Sequence, residues 1–305
     1  MNQGLPEHVT IREVCLRDGL QIEAPIPLSA KIALLEAVVA TGVREIEATA
    51  FVSPSKVPAL ADAAALAAEL PRFRESHGVD FSALVAGPGG ANRAVAAGID
   101  SIEYVVSAAD GHSRANVGRS TAESTDLIAD ITRIAHDGGA TIEVIIATAW
   151  DCPFDGPTDP RRVVDVASAA AELGADRIAV ADTIGTTTPR RVTTLVELLR
   201  PVVGDLPFGA HFHNTRGAGL ASAYAAVAAG VRRLDASAGG LGGCPFAPGA
   251  TGNIATEDLV YLLRDSDIGT DVDLAAAIRA ADVARAAVGH DLPSALLRAG
   301  DRILG

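Results

Sequence analysis

The stretch LGADRIAVADT, residues 173–183, decides the fold because its pattern occurs four times along the chain. Each copy closes an alanine-rich helical stretch with a glycine and continues into an aliphatic-rich run. A glycine suits the left-handed position after a helix, and an apolar run of this length predicts a buried strand. Each copy is therefore a helix-to-strand junction. The other three are TGVREIEATAF (41–51), AGIDSIEYVVS (97–107) and AGVRRLDASAG (229–239).

Four further runs with strand character lie between these junctions, which makes eight predicted strands in all. They are VTIREVCLRDG (9–19), DFSALVAG (80–87), ATIEVIIATAW (140–150) and PFGAHFHN (207–214). Helix starts are predicted at Ser29, at Asp159-Pro160 and at Thr188-Pro189, where a capping side chain or a proline precedes apolar residues at helical spacing.

Strand and helix thus alternate eight times without a linker-like composition break. This pattern predicts an α/β fold, a (β/α)8 TIM barrel over about residues 9–240, within a single domain of residues 1–305. Additional C-terminal helices are expected over about 253–305. A doubly wound sheet is the alternative fold, but no GxGxxG motif follows the first strand.

Composition limits the function. The chain has 305 residues, is 49% hydrophobic and carries a formal net charge of −13. This balance offers no basic surface for nucleic acid or an anionic membrane. No signal peptide or membrane span is expected, and three widely separated cysteines indicate a reducing, cytoplasmic setting.

Polar residues cluster where the predicted strands end, which is where barrel enzymes carry their chemistry. Strand 1 ends in Arg17 and Asp18, Glu47 lies on strand 2, Asp182 and Thr183 end strand 6, and the sequence HFHN ends strand 7. Arg17 is compatible with a structural ion pair to Glu47 or Asp182, as the alternative to a functional role, because an unpaired charge inside a barrel is unfavourable. Cys15 is expected to be a packing residue, and Cys152 receives no role.

The spacing of His211 and His213 places both imidazoles on one face of a strand, with Phe212 on the other. This pattern is compatible either with ordinary buried histidines or with a shared metal ion. Asp18 favours the metal, since strands 1 and 8 are neighbours in a closed barrel. With Asn253, the set of nitrogen and oxygen ligands favours Mg²⁺ or Mn²⁺ and also permits Zn²⁺.

The glycine-rich segment GGLGGCPFAPGATGNIATE, residues 239–257, is typical of a binding loop or lid and carries the thiol of Cys244. Together with CLRDGLQIE (15–23), EATAFVSP (47–54), ADTIGTTTP (181–189) and HFHNT (211–215), it resembles the hydroxymethylglutaryl-CoA lyases of the DRE-TIM metallolyase superfamily. The resemblance runs from about Val9 to Leu263.

The resemblance implies cleavage of a 3-hydroxy-3-methylglutaryl-CoA-type substrate to acetyl-CoA and a 3-oxo acid, in a homodimer that uses Mg²⁺ or Mn²⁺. By the same resemblance, Gln21, Thr183 and Glu257 contact substrate with Arg17. Glu257 is also a polar partner near the lid. The implied metal ligands are Asp18, His211, His213 and Asn253, and the implied catalytic residues are Arg17, Asp18, Glu47, Asp182, His211 and Cys244.

Three positions depart from the family pattern: Ala24 replaces a lysine, Ala50 a serine and Asn214 an aspartate. The identity of the acyl-CoA is therefore open. Condensing enzymes and aldolases of the same superfamily share the RDG and HxH features but lack the loop in its cysteine form. A non-catalytic, metal-stabilised barrel is the remaining alternative.

Overall fold

The computed structural model describes residues 4–243 and 252–302, and it confirms the predicted barrel. Eight parallel strands close on themselves in the order β1-β8-β7-β6-β5-β4-β3-β2. Their bounds are β1 Thr10–Glu13, β2 Glu45–Phe51, β3 Asp80–Val85, β4 Ser101–Ser107, β5 Thr141–Ala147, β6 Arg177–Asp182, β7 Phe208–Phe212 and β8 Arg233–Ala236.

Helices surround the barrel and extend beyond its last strand. The four junction glycines, at positions 42, 98, 174 and 230, all take positive φ angles, as the repeated pattern predicts. The helices are α1 Leu28–Val39, α2 Ala63–Ala67, α3 Leu70–His77, α4 Pro88–Ala96, α5 Asp110–Val117, α6 Thr121–Asp126, α7 Ile128–Asp137, α8 Pro160–Glu172, α9 Pro189–Val203, α10 Gly219–Ala229, α11 Thr256–Arg264, α12 Leu274–Val288 and α13 Ala295–Ala299. None of these helices is long and apolar enough to cross a bilayer.

Local details differ from the sequence prediction in three places. Strand β1 ends at Glu13, and Cys15–Gly19 form a helical turn, so Arg17 and Asp18 follow the strand instead of ending it. Helix α1 begins at Leu28, which leaves Ser29 inside the helix, and Pro27 precedes it. Asp159 caps α8 through the amide of Arg161, whereas the side chain of Thr188 makes no such bond to α9.

Charged side chains fill the middle of the barrel, where aliphatic side chains are the rule in this fold. Arg12 lies 2.7 Å from Glu103 and 2.5 Å from Glu143, and all three residues are almost fully buried. Glu143 also pairs with Arg233 near the N-terminal ends of the strands. The middle of the interior therefore holds an ionic network, and the main apolar core lies between the strands and the surrounding helices.

The C-terminal helices are anchored to the base of the glycine-rich segment. Glu13, on the opposite face of β1 from Arg12, accepts hydrogen bonds from the amides of Cys15 and Ala238 and from the hydroxyl of Thr256 at the start of α11. The carboxylate of Asp258 accepts the amides of Ala295 and Leu296 at the start of α13. These contacts fix the turn after β1 against the segment after β8.

Candidate metal centre and active site

Asp18, His211 and His213 come together at the C-terminal end of the barrel. Oδ2 of Asp18 lies 3.9 Å from Nε2 of His211 and 3.7 Å from Nε2 of His213. One ligand atom from each residue lies within 4.8 Å of the others, and all three residues are buried. Phe212 points to the opposite face, where its ring packs against Trp150. The sequence prediction that β7 presents both imidazoles to one side is confirmed.

This geometry fits a divalent cation. Ligand atoms that share a central ion at about 2.1 Å must lie about 3–4 Å apart, and the two distances from Asp18 fall in this range. Both ring nitrogens of His213 are buried and have no hydrogen-bond partner within residues 4–243 and 252–302. An unbonded buried imidazole is unfavourable unless a ligand occupies it. Burial opposes the charge of Asp18, but Arg17 and the two histidines hold the pKa of its carboxyl well below the usual value.

Arg17 stands between two carboxylates. Its Nη1 lies 2.5 Å from Oδ1 of Asp18, and its Nε lies 2.5 Å from Oε1 of Glu47 on β2. Gln21 contacts both Arg17 and Asp18. Its amide nitrogen donates a hydrogen bond to Asp18, and its oxygen accepts one from Arg17. Burial disfavours the cation, yet Glu47 and Asp18 keep the pKa of Arg17 above its usual value. Of the two partners expected for Arg17, the structure shows Glu47.

Asn253 reaches the same centre from the segment before α11. Its side-chain amide donates to Oδ2 of Asp18 at 2.9 Å and to the carbonyl oxygen of Leu241 at 3.0 Å. Its own oxygen is buried and has no hydrogen-bond partner in the described part of the chain. Gly242 permits this approach: its φ is +125°, and a Cβ there would lie 2.6 Å from the Asn253 amide. The role of Asn253 as a metal ligand stays a prediction.

Asp182 and Thr183, at the end of β6, have well-defined partners. The carboxylate oxygens of Asp182 accept the amides of Thr186 at 3.0 Å and Thr187 at 2.9 Å, which holds the loop after β6 in place. Burial raises the pKa of Asp182, partly offset by these amides. The hydroxyl of Thr183 accepts the amide of Thr148, whose φ of +53° is unusual for a β-branched residue. The accepting hydroxyl keeps its own hydrogen available for a ligand.

Glu257, the second residue of α11, contacts the segment after β8. One carboxylate oxygen accepts the amide of Gly239, and the other is buried without a hydrogen-bond partner among the described residues. Cys244 lies outside the described residues. Cys15 is fully buried, as a packing residue should be, and burial raises the pKa of its thiol well above the usual value. The sulfur of Cys152 accepts two backbone amides in the hairpin after β5.

One residue that the sequence reasoning missed touches a predicted metal ligand. Oδ2 of Asp235 on β8 lies 3.1 Å from Nδ1 of His211. Arg12 grips the same carboxylate through two hydrogen bonds of 2.9 and 2.7 Å. Burial opposes the charge, but Arg12 and His211 hold the pKa of Asp235 below its usual value. The sequence did contain a signal for Asp235, because it is a charged residue within the predicted buried strand of RRLDASAGG, residues 232–240.

The opposite side of the barrel interior is apolar. Ile145, Ala179 and Ala181 form a small cluster separate from the main core, with Val105 packed against it. Ala181 is the register partner of His211, so it faces the same interior. Ala50 on β2 is buried and pairs in register with Leu84. A ligand at the metal centre would therefore meet charged groups on one side and short aliphatic groups on the other.

Comparison with known proteins agrees with this geometry. The sequence profile of the HMGL-like family matches residues 8–284. The chain belongs to the HMGL-like family. It is 40% identical to (R)-citramalyl-CoA lyase of Chloroflexus aurantiacus, covering 96% of this chain and 95% of that one. It is 38% identical to a hydroxymethylglutaryl-CoA lyase of Bacillus subtilis, covering 95% and 96%.

A solved HMGL-like structure gives the same overall fold. An HMG-CoA lyase from Acinetobacter baumannii, in complex with coenzyme A and 3-methylmalate, superimposes with a TM-score of 0.91 at 36% identity and covers 98% of both chains. As a member of the HMGL-like family, the chain is an acyl-CoA carbon–carbon lyase, and the enzyme class predicted from the sequence is confirmed.

Glu257 provides a test of the site by pH. Burial raises its pKa from 4.5 to about 7 in the folded protein. Between these values the folded state holds a proton that the unfolded state has released, so stability falls as the pH rises through this window. The contribution lost by pH 8 is of the order of 3 kcal/mol at most. We expect Glu257→Gln to remove this component, measured by denaturant unfolding at pH 5 and pH 8.

The exposed Glu197 of α9 supplies the matched control for this measurement. Glu197→Gln should leave the pH dependence of the unfolding free energy as it is in the native protein. If Glu257→Gln and the native protein lose equal stability between pH 5 and pH 8, the buried carboxyl does not titrate in this range.

Proposed function

We propose that the protein cleaves a 3-hydroxy-3-methylglutaryl-CoA-type thioester to acetyl-CoA and acetoacetate, using a divalent cation, Mg²⁺ or Mn²⁺. The observation that carries the proposal is the convergence of Asp18, His211 and His213 beside Arg17. A coenzyme A thioester as the substrate is supported by the relatives named above, one of which was solved in complex with coenzyme A. No basic surface is needed for such a substrate, because Arg17 and the cation supply local positive charge.

The residues divide into those that hold the cation and those that face the thioester. Asp18, His211, His213 and Asn253 are the proposed ligands. A divalent cation held by these residues would act as a Lewis acid and lower the pKa of the substrate hydroxyl. The hydroxyl proton passes to the carboxylate of Asp18, because the proposed coordination leaves His211 no lone pair to accept it. The carbon that carried the hydroxyl then becomes a ketone as its bond to the thioester α-carbon breaks.

The electron pair of the broken bond moves to the thioester and gives an acetyl-CoA enolate. Arg17, held by Glu47 on one side and Asp18 on the other, presents a fixed guanidinium to the developing oxyanion. The α-carbon must then take a proton, which we assign to the thiol of Cys244 on the resemblance of the glycine-rich segment. Asp182 and Glu257 hold backbone amides of the adjoining loops, and Thr183 and Gln21 are proposed to contact the substrate.

A second substrate, a citramalyl-CoA, is favoured by one relative and by two residues. The Chloroflexus relative is named a citramalyl-CoA lyase. In that thioester the free carboxylate sits directly on the hydroxyl-bearing carbon, one methylene closer than in hydroxymethylglutaryl-CoA. Ala24 and Ala50 offer neither a cation nor a hydroxyl for a more distant carboxylate. Cleavage would release acetyl-CoA and pyruvate.

We further propose that the chain functions as one lyase domain, that the enzyme is a cytoplasmic homodimer and that residues 239–257 form the loop that covers the reacting atoms. The unbroken alternation of strands and helices supports the single domain, and the spacing of the cysteines supports the cytoplasmic setting. The dimer is the commonest symmetric oligomer, and the resemblance supports the role of the loop.

Metal dependence and product identity test the proposal together. Chelator-treated protein should release no acetyl-CoA from hydroxymethylglutaryl-CoA, and Mg²⁺ or Mn²⁺ should restore release with acetoacetate as co-product. His213→Ala should weaken Mn²⁺ binding at least about tenfold, because no neighbouring group replaces the lost nitrogen. Full activity in metal-free protein would overturn the assignment. A kcat/KM more than tenfold higher for citramalyl-CoA, with pyruvate as co-product, would establish the second substrate.

The guanidinium of Arg17 is expected to matter more for turnover than for binding. Arg17→Lys keeps the charge but loses the planar fork that meets Glu47 and Asp18 at once, so kcat should fall about 10²–10³-fold. Arg177→Lys is the matched control, because Arg177 grips Glu45 with two 3.0 Å bonds at the other end of the barrel. A near-normal kcat in a folded Arg17→Lys protein would show that Arg17 serves only the ionic network and does not stabilise the enolate.

Cys244 is tested by steady-state kinetics. Cys244→Ser conserves size and raises the pKa of the proton donor far above neutral, so kcat should fall strongly while KM changes little. Cys152→Ser is the control, since that sulfur serves the hairpin after β5. Normal turnover by Cys244→Ser would show that the enolate takes its proton from another group.

A further inference from the structure

A row of three side chains crosses three neighbouring strands beside the metal centre. Arg12 of β1 is the register partner of Asp235 of β8, and Asp235 is the register partner of His211 of β7. Residues in register on adjacent parallel strands point to the same side of the sheet, which here is the barrel interior. The row therefore connects the seam where the barrel closes to a proposed metal ligand.

Each contact in the row has good hydrogen-bonding geometry. Arg12 donates from Nε to Oδ1 of Asp235 at 2.9 Å and from Nη2 to Oδ2 at 2.7 Å, while His211 Nδ1 lies 3.1 Å from Oδ2. The remaining nitrogen of Arg12 is taken by Glu103 and Glu143. A guanidinium that grips both oxygens fixes the plane of the carboxylate. Since Arg12 and Asp235 are almost fully buried, water does not compete for these bonds.

The position of Asp235 decides which nitrogen of His211 is free. A neutral imidazole carries one proton, and an acceptor beside Nδ1 keeps the proton on that atom. The lone pair then lies on Nε2, the nitrogen that faces Oδ2 of Asp18 at 3.9 Å. His213 has no such partner on either nitrogen in the described part of the chain. His211 is thus the ligand that the protein orients before any cation arrives.

We propose that Asp235 is a positioning residue that orients His211 for the divalent cation, and that Arg12 holds Asp235 in this position. The proposal rests on the proposed function in one respect, namely that the centre binds a divalent cation. It assigns a role to two charged groups that neither contact substrate nor bind the cation. It also explains why β1 and β8 carry opposite charges at the same register level.

Calorimetric titration with Mn²⁺ tests the proposal without an activity assay. Asp235→Asn keeps the size of the side chain but loses the charge that attracts the Nδ1 proton and the second strong acceptor for Arg12. We expect the Kd for Mn²⁺ to rise about 10–100-fold. Glu143→Gln is the matched control, because it neutralises another buried carboxylate on Arg12 without touching His211. Its Kd should stay within the error of the native value.

Two outcomes of this titration would overturn the proposal. An unchanged Kd for a folded Asp235→Asn protein, with folding checked by circular dichroism, shows that His211 needs no orientation. An equal rise for Asp235→Asn and Glu143→Gln shows that only the net charge of the interior matters. If the native protein itself binds no Mn²⁺, the proposed function fails first.

Nitrogen NMR without metal gives a readout on the native protein itself, and a variant is needed only to assign the signals. The ring nitrogens of His211, assigned by the signals lost in His211→Gln, should show the proton on Nδ1. A proton found on Nε2 would overturn the proposal directly. This measurement does not depend on metal binding, so it separates a failure of the positioning role from a failure of the proposed function.

Discussion

The pair formed by Arg12 and Asp235 is the interaction on which the arrangement of the barrel interior depends. It joins the first strand to the last, at the seam where the barrel closes, and both residues are buried. Removal of one partner from a buried pair costs about 3–5 kcal/mol, because a charge is left uncompensated. An apolar pair would close the seam at similar stability. The reason to keep charges here therefore lies in what Asp235 touches, the imidazole of His211.

The same logic extends to the turn after β1. Asp18 can remain ionised in a buried position because Arg17 compensates its charge, and Arg17 in turn is held by Glu47 from β2. On the other face of β1, Glu13 ties the turn to the segment after β8 through the amides of Cys15 and Ala238. The turn after β1 and the segment after β8, which are far apart in sequence, are thus joined through the carboxylate of Glu13. These contacts hold the backbone that carries the proposed ligand Asp18 in place.

Much of the fold follows from local sequence patterns. The glycine that ends a helix and the aliphatic run behind it place four of the strands, and four further apolar runs place the others, since these signals act within about ten residues of chain. The predictions that were wrong concern details that local sequence patterns do not determine. Ser29 has a capping side chain, but Pro27 ends the extended segment before α1, so the helix begins before the serine. Strand β1 stops at Glu13 because the chain turns there to bring Arg17 and Asp18 over the barrel mouth.

The sequence by itself determined which side chains could meet at the mouth of the barrel. The period of a strand places His211 and His213 on one face, and the closure of eight strands brings the end of strand 1 beside strand 8. Only the tertiary structure decided which partners these groups have. The choice of Glu47 over Asp182 for Arg17, and the row from Arg12 through Asp235 to His211, depend on strand register and barrel stagger. A single sequence does not reveal these contacts, because Arg12 and Asp235 are 223 residues apart, and a charge inside an apolar strand indicates a need for a partner without indicating which partner.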